Sequence, residues 1–161
     1  MATRQFERTV RQSVLDRLVD DPDHPEPRTW DESVSAFKRS VVRDLEWLLN
    51  TRRVFPPCPE ALDLVCNSIY NFGIPDLSSR SAQSAETRMR LQREVAEAVS
   101  TFEPRLAKVR VQLVQQPAAE RSVRFHIEGE MRTDPTPQAV VFETTLDMAS
   151  KAIAVKAGDD A

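Results

Sequence analysis

The sequence predicts an α+β fold in which helices pack on one face of a small antiparallel sheet of three or four strands formed by the C-terminal half. Three observations carry this. Apolar residues recur at helical spacing as far as Phe102, the pattern changes to strict alternation after Pro104, and the prolines fall between the patterned segments. Helices followed by a meander of strands is the order of an α+β domain.

The first patterned segment covers residues 6–18. Phe6, Val10, Val14, Leu15 and Leu18 form an apolar stripe, with Arg4, Glu7, Arg8, Arg11 and Arg17 on the other side, which predicts a short amphipathic helix. It runs into Asp20-Asp21-Pro22-Asp23-His24-Pro25-Glu26-Pro27, whose prolines lack amide donors and whose acids favour water, so this tract reads as a tether. A striped helix on a stiff spacer either folds back on its own domain or lies in another protein's groove. The residues leave both open.

The second helix starts after Thr29, which with Glu32 fits a capping box, and its apolar face runs Val34, Phe37, Val41, Leu45, Leu48 and Leu49. Asn50 is its expected terminator, with Arg52 and Arg53 near the negative end of the dipole. After Phe55-Pro56-Pro57-Cys58, Pro59 suits a first helical turn, and Leu62, Val65, Cys66 and Ile69 are expected to bury the face of a short third helix. Gly73 supplies positive φ at its exit and Pro75 an extended continuation.

A polar loop over 78–84 leads to a fourth helix over 85–102, with Leu91, Val95, Ala98, Val99 and Phe102 on one face and Pro104 as its stop. Then Val109, Val111 and Leu113, and next Val123, Phe125 and Ile127, alternate with polar positions as half-buried strands, and Val140, Phe142, Thr144 and Leu146 and finally residues 152–155 follow as a third and a fourth run. The organisation expected is an N-terminal helix (1–20), the tether (21–28), one folded domain (29–156) and a frayed tail (157–161).

The 22 basic residues nearly balance 25 acidic ones, a net charge of −3, which gives no electrostatic footprint for nucleic acid or anionic lipid. No stretch nears the roughly 20 apolar residues of a membrane span, and the N-terminus lacks a secretory pattern, so no membrane insertion is expected and the cytoplasm is the expected address. The two cysteines, Cys58 and Cys66, are too far apart for a CxxC pair and are expected to be reduced, buried thiols.

Catalytic signals are scarce. His24 and His126 have no partner at metal-ligand spacing, so no metal is expected, with His126 a polar-face residue of its strand. The three glycines, Gly73, Gly129 and Gly158, make no phosphate loop, and no cofactor is expected. A glycosidase needs only two carboxylates, which spacing cannot reveal, but sugar-stacking aromatics are few. The sequence therefore favours a docking protein over an enzyme, with a peptidoglycan hydrolase as the alternative from another class.

At Glu103-Pro104-Arg105 the last helix meets the first strand. Pro104 fixes the turn, so Glu103 and Arg105 either face a partner at a set angle or pair with one another. Three segments in order, residues 40–52 ending in Leu48-Leu49-Asn50-Thr51-Arg52, then Asn71-Phe72-Gly73-Ile74-Pro75-Asp76-Leu77, then Phe102-Glu103-Pro104-Arg105-Leu106, resemble the baseplate wedge family. That family takes in TssE of type VI secretion and related contractile phage tail proteins.

The resemblance spans about residues 29–155. It implies a structural subunit of a cytoplasmic, membrane-docked type VI baseplate in a Gram-negative bacterium, or of a phage-derived tail, on which a contractile sheath is nucleated. Implied partners are the sheath subunits TssB and TssC and the baseplate subunits TssF, TssG and TssK. Glu103, Pro104 and Arg105 are implied to join sheath to baseplate. The N-terminal stripe of Phe6, Val10, Val14 and Leu18 lies outside the match and is expected to dock on another subunit.

Overall fold

The computed structural model describes residues 9–19, 27–53, 59, 61–75, 85–114, 122–134, 136–147 and 149–158. Helix α1 is Val14–Leu18, α2 is Trp30–Asn50, α3 is Asp63–Cys66 and α4 is Ala85–Phe102. Two short strands, β1 (Arg52–Arg53) and β2 (Ile74–Pro75), pair in parallel, and β3 (Leu106–Leu113), β4 (Ser122–Met131), β5 (Gln138–Asp147) and β6 (Ile153–Ala157) form an antiparallel meander in chain order. The α+β architecture is the one the sequence predicts.

Helix α2 begins where its capping chemistry places it. Thr29 Oγ1 accepts from the Glu32 amide at 3.2 Å, and Glu32 Oε2 accepts from the Thr29 amide at 3.3 Å. Phe37, Val41, Leu45, Leu48 and Leu49 then bury one face, joined by Ser33 and Ser40, whose hydroxyls turn back onto the Trp30 and Phe37 carbonyls. Helix α4 contributes Leu91, Val95, Ala98 and Val99. Both helices cover the same side of the sheet, α2 over β6 and α4 over β3, and meet Phe125, Ile127, Met131, Val140, Phe142, Leu146, Ile153 and Val155 in one core.

The two edges of this sheet are finished differently. Along β6, Asn50 Nδ2 donates to the Ile153 carbonyl at 2.8 Å and its Oδ1 accepts from the Ile153 amide at 2.9 Å, while Glu46 Oε1 accepts from the Val155 amide at 2.9 Å. Side chains of α2 thus stand in for the next strand. Along β3, Gln92 Nε2 donates to the Val111 carbonyl, and a bulge between Ala107 and Arg110 holds Lys108 at φ 54. A bulge and a charged side chain are devices that discourage edge pairing, and they sit beside the α4–β3 corner.

Four expectations need correction. The helix over 6–18 is reduced to α1. Phe6 lies outside the described residues, and Val10, expected on the helical stripe, is in non-helical chain and buried in the core, its amide donating to Ser33 Oγ at 2.9 Å. Ser13 explains the late start, because its hydroxyl accepts from the Asp16 amide and so caps the helix there.

The third helix is also cut short. Ser68 donates its hydroxyl to the Val65 carbonyl and accepts from the Tyr70 amide, diverting the chain into a 3₁₀ turn over Ile69–Asn71. The expected buried face is open instead, with Leu62, Val65 and Ile69 all exposed. Cys66 is half-buried and disulfide-bonded, not a reduced buried thiol. The other cysteine, Cys58, lies outside the described residues. The Leu62 amide closes a turn on the Pro59 carbonyl ahead of Cys66, a reversal that cysteine spacing alone does not reveal.

At the other end, Ala157 is paired with Phe142 in β6, and the Gly158 amide donates to the Val141 carbonyl, so the sheet continues past the expected start of the frayed tail. The tether residues 20–26 and the loop 78–84 lie outside the described residues.

Candidate functional site: the α4–β3 corner

The three sequence segments singled out above meet at one end of the domain. Thr51 follows α2 and donates its hydroxyl to the Trp47 carbonyl, then offers its own carbonyl to the Ile74 amide at 3.0 Å. Gly73 precedes that bond at φ +100, and a Cβ there would sit 2.4 Å from the Thr51 oxygen, so only glycine lets the two chains come this close. Arg53 donates to Asn71 Oδ1 at 2.8 Å and to Glu94 Oε2 at 3.2 Å, tying β1 to both the turn and α4. Phe72 then meets Phe102 edge to face, with centroids 5.3 Å apart. Phe72 thus packs on the last turn of α4 just before Glu103, while Arg53 holds the same helix two turns earlier at Glu94.

At the corner itself the Glu103 amide closes α4 on the Val99 carbonyl, and the Leu106 amide donates to the Glu103 carbonyl. Pro104 lies exposed between them. Glu103 is only 4% exposed, yet it does not face a cleft: Arg105 donates from Nε to Glu103 Oε1 at 2.6 Å and from Nη2 to Oε2. The same Nη2 reaches Asp44 Oδ2 at 2.6 Å, Nη1 reaches Ser40 Oγ at 3.0 Å, and the guanidinium stands 5.7 Å from the centre of the Phe37 ring. Burial disfavours the charge on Arg105, but the hydrogen bonds and charge of Glu103, and then those of Asp44, outweigh it and raise its pKa above its ordinary value.

The charged pattern continues along α2 to the N-terminal segment. Arg43 donates from Nε to Asp44 Oδ1 at 2.9 Å and from Nη1 to Asp16 Oδ1 at 2.5 Å, and it lies over the Trp47 ring at 5.1 Å. Charges therefore alternate from Glu103 through Arg105, Asp44 and Arg43 to Asp16 in α1. Of the N-terminal stripe, Val10 is in the core, whereas Val14 and Leu18 are 69% and 78% exposed. The stripe is split between two environments.

The sequence named Glu103, Pro104 and Arg105 but missed Asp44 and Arg43, which sit in the middle of an amphipathic helix and look like solvated-face residues. Their one available signal was adjacency on the edge of the α2 stripe, which is too common to single them out.

Other chemistry is thin on the surface. A depression of about 280 Å³ on the outer face of the sheet is lined by Arg124, Glu143, Thr145, Ala154 and Lys156, so it offers one carboxylate where glycoside hydrolysis uses two. His126 lies on that outer face, between Gln112 and Glu143 in the strand register. Among the described residues no group of three metal-ligating side chains converges.

Residues 35–136, well over half of the chain and including the whole corner, match the family described as baseplate wedge protein gp25. The chain belongs to that family. No curated protein matches it. This wedge protein is thus a structural component of a phage-tail-like baseplate, made to contact other baseplate components. The matched span takes in the Thr51–Ile74 junction and the Glu103–Arg105 pair, and leaves out α1, β5 and β6. Among the described residues no helix is long and apolar enough to cross a membrane.

Proposed function

We propose that this wedge protein is the type VI secretion baseplate subunit that joins the wedge complex to the contractile sheath and helps to nucleate sheath assembly. The sheath proteins TssB and TssC are then its partners on one side, and TssF, TssG and TssK on the other, in a cytoplasmic baseplate docked at the membrane. The observation that carries the reading is the corner. Pro104 is exposed on a turn whose neighbours are fixed by Arg105, Glu103 and Asp44, which makes a rigid projection that loses little entropy on docking.

The second contact belongs to α1. Val14 and Leu18 present an exposed apolar pair one helical turn apart, suited to the groove of another wedge subunit, while Val10 anchors the segment to this chain.

Co-purification with the sheath pair and with the wedge subunits tests both surfaces, using Pro104→Ala and Arg105→Ala with a melting curve for each. Loss of sheath with wedge binding retained supports the corner as the sheath contact. Retention of sheath by two folded variants removes that role. For the hydrolase alternative, Glu103 is engaged on both oxygens by Arg105, which leaves it an anchoring anion. Clearing of purified cell wall by the wild type and not by Glu103→Gln would overturn the docking reading.

A further inference from the structure

We infer that Asp44 and Arg43 are positioning residues that couple the α4–β3 corner to the seating of α1, so that the two docking surfaces are not independent. The inference rests on the docking reading for its biological use, but its physical content stands on the isolated chain. Asp44 is shared. Its Oδ2 takes Arg105 Nη2 at 2.6 Å and its Oδ1 takes Arg43 Nε at 2.9 Å, with Arg43 Nη2 also 2.9 Å from Oδ1. Arg43 is shared in turn, because its Nη1 holds Asp16 Oδ1 at 2.5 Å.

The side chains are partly shielded, with Arg105 19%, Asp44 26%, Arg43 34% and Asp16 16% exposed, so the charges influence one another more than fully solvated groups would. Arg43 thus bridges two carboxylates, Asp44 on its Nε and Nη2 side and Asp16 on Nη1. While Arg105 occupies Asp44 Oδ2, Arg43 meets Asp44 on Oδ1 alone and is placed so that Nη1 reaches Asp16. If a partner draws Arg105 outward, both oxygens of Asp44 become available, and a guanidinium prefers a two-pronged carboxylate to a single contact. Arg43 then moves in on Asp44 to set Nε and Nη2 on its two oxygens, the movement lengthens the Nη1 contact to Asp16, and α1 loosens from α2.

A partner that engages Arg105 at the corner therefore frees α1, with its Val14 and Leu18, for a second partner. By the reciprocity of linked binding, a partner that prises α1 away makes Arg105 easier to withdraw.

The test is amide exchange followed by NMR on the isolated full chain, reading Val10, Arg17 and Val19, whose amides bond Ser33 Oγ, the Ser13 carbonyl and the Leu15 carbonyl. Removing Arg105 and removing the charge of Asp44 have opposite consequences for Asp16. Arg105→Ala is expected to raise exchange at Arg17 and Val19 roughly threefold, the size of a weak ion pair. Asp44→Asn leaves Arg43 with Asp16 alone and is expected to leave their exchange unchanged or lower it.

A merely structural role would speed exchange in both variants together, so parallel increases overturn the coupling, as does an unchanged rate in Arg105→Ala. Asp16→Asn serves as a reference for a released α1 in a folded protein. Because no partner is present, failure here leaves the corner's docking role to be decided by co-purification.

Discussion

The corner and the N-terminal segment both end on the same pair of α2 residues, yet they are built on different principles. At the corner, Glu103 is nearly inaccessible and its carboxylate is satisfied by one arginine that also binds Asp44 and Ser40. In the N-terminal segment the side chains that stand out are apolar and open, and the attachment consists of Val10 in the core plus the Asp16–Arg43 pair. One surface is rigid because its charges are internally matched. The other is available because most of its apolar area is unmatched. The difference teaches that a contact surface can be made by freezing a turn or by leaving a stripe uncovered, and that the two respond to mutation in opposite ways.

The largest expected effect breaks the corner. Glu103→Ala leaves Arg105 with Asp44 as its remaining counter-charge in a half-buried place, and should cost about 2–4 kcal/mol, at or below the range for removing one partner of a fully buried pair. Leu18→Ala should change stability by less than about 0.5 kcal/mol and act on partner binding alone. Equal shifts in urea midpoint for the two variants would show that the contrast between the regions is wrong.

A smaller effect separates the halves of the N-terminal stripe. Val10→Ala removes two methyl groups from a buried site and should cost about 1–2 kcal/mol, whereas Val14→Ala should be close to neutral. If thermal melts placed the two together, Val10 would not be the anchor.

The smallest effect is on pH. Burial pushes the Asp16 carboxyl up, but the Ser13 hydrogen bond, the Arg43 hydrogen bond and the charges of Arg43 and Arg105 outweigh it and hold its pKa below the ordinary 3.8. A carboxyl lowered in the folded state adds stability above its unfolded pKa and loses it as pH falls through the folded one. The attachment of α1 should therefore be intact at neutral pH and weaken below about pH 4, by about 0.5–1 kcal/mol. An N-terminal segment whose NMR signals respond equally to acid in the wild type and in Asp16→Asn would remove this attachment from the account.

Residues that act through their neighbours in the chain were legible in the sequence. Thr29 and Glu32 cap α2 as their spacing says, the stripes of α2 and α4 are the buried stripes, and alternation in the C-terminal half gives the inward faces of β4, β5 and β6. These patterns are periodic because each element buries one side, so a periodic sequence determines them by itself. The ordered motifs likewise marked the segments that meet at the corner.

Tertiary structure alone decided the matters in which distant groups compete for the same partner. Asn50 reads as a helix terminator, but it pairs with Ile153, far along the chain, and closes the β6 edge. Val10 reads as the middle of a helical stripe, but Ser33 takes its amide and the core takes its side chain. Glu103 and Arg105 could have faced outward or inward, and Asp44, more than fifty residues upstream, settled it. Local spacing fixes which side of an element is apolar. It does not contain the free energy of a charge or a methyl group that can choose between solvent and a site assembled from remote parts of the chain.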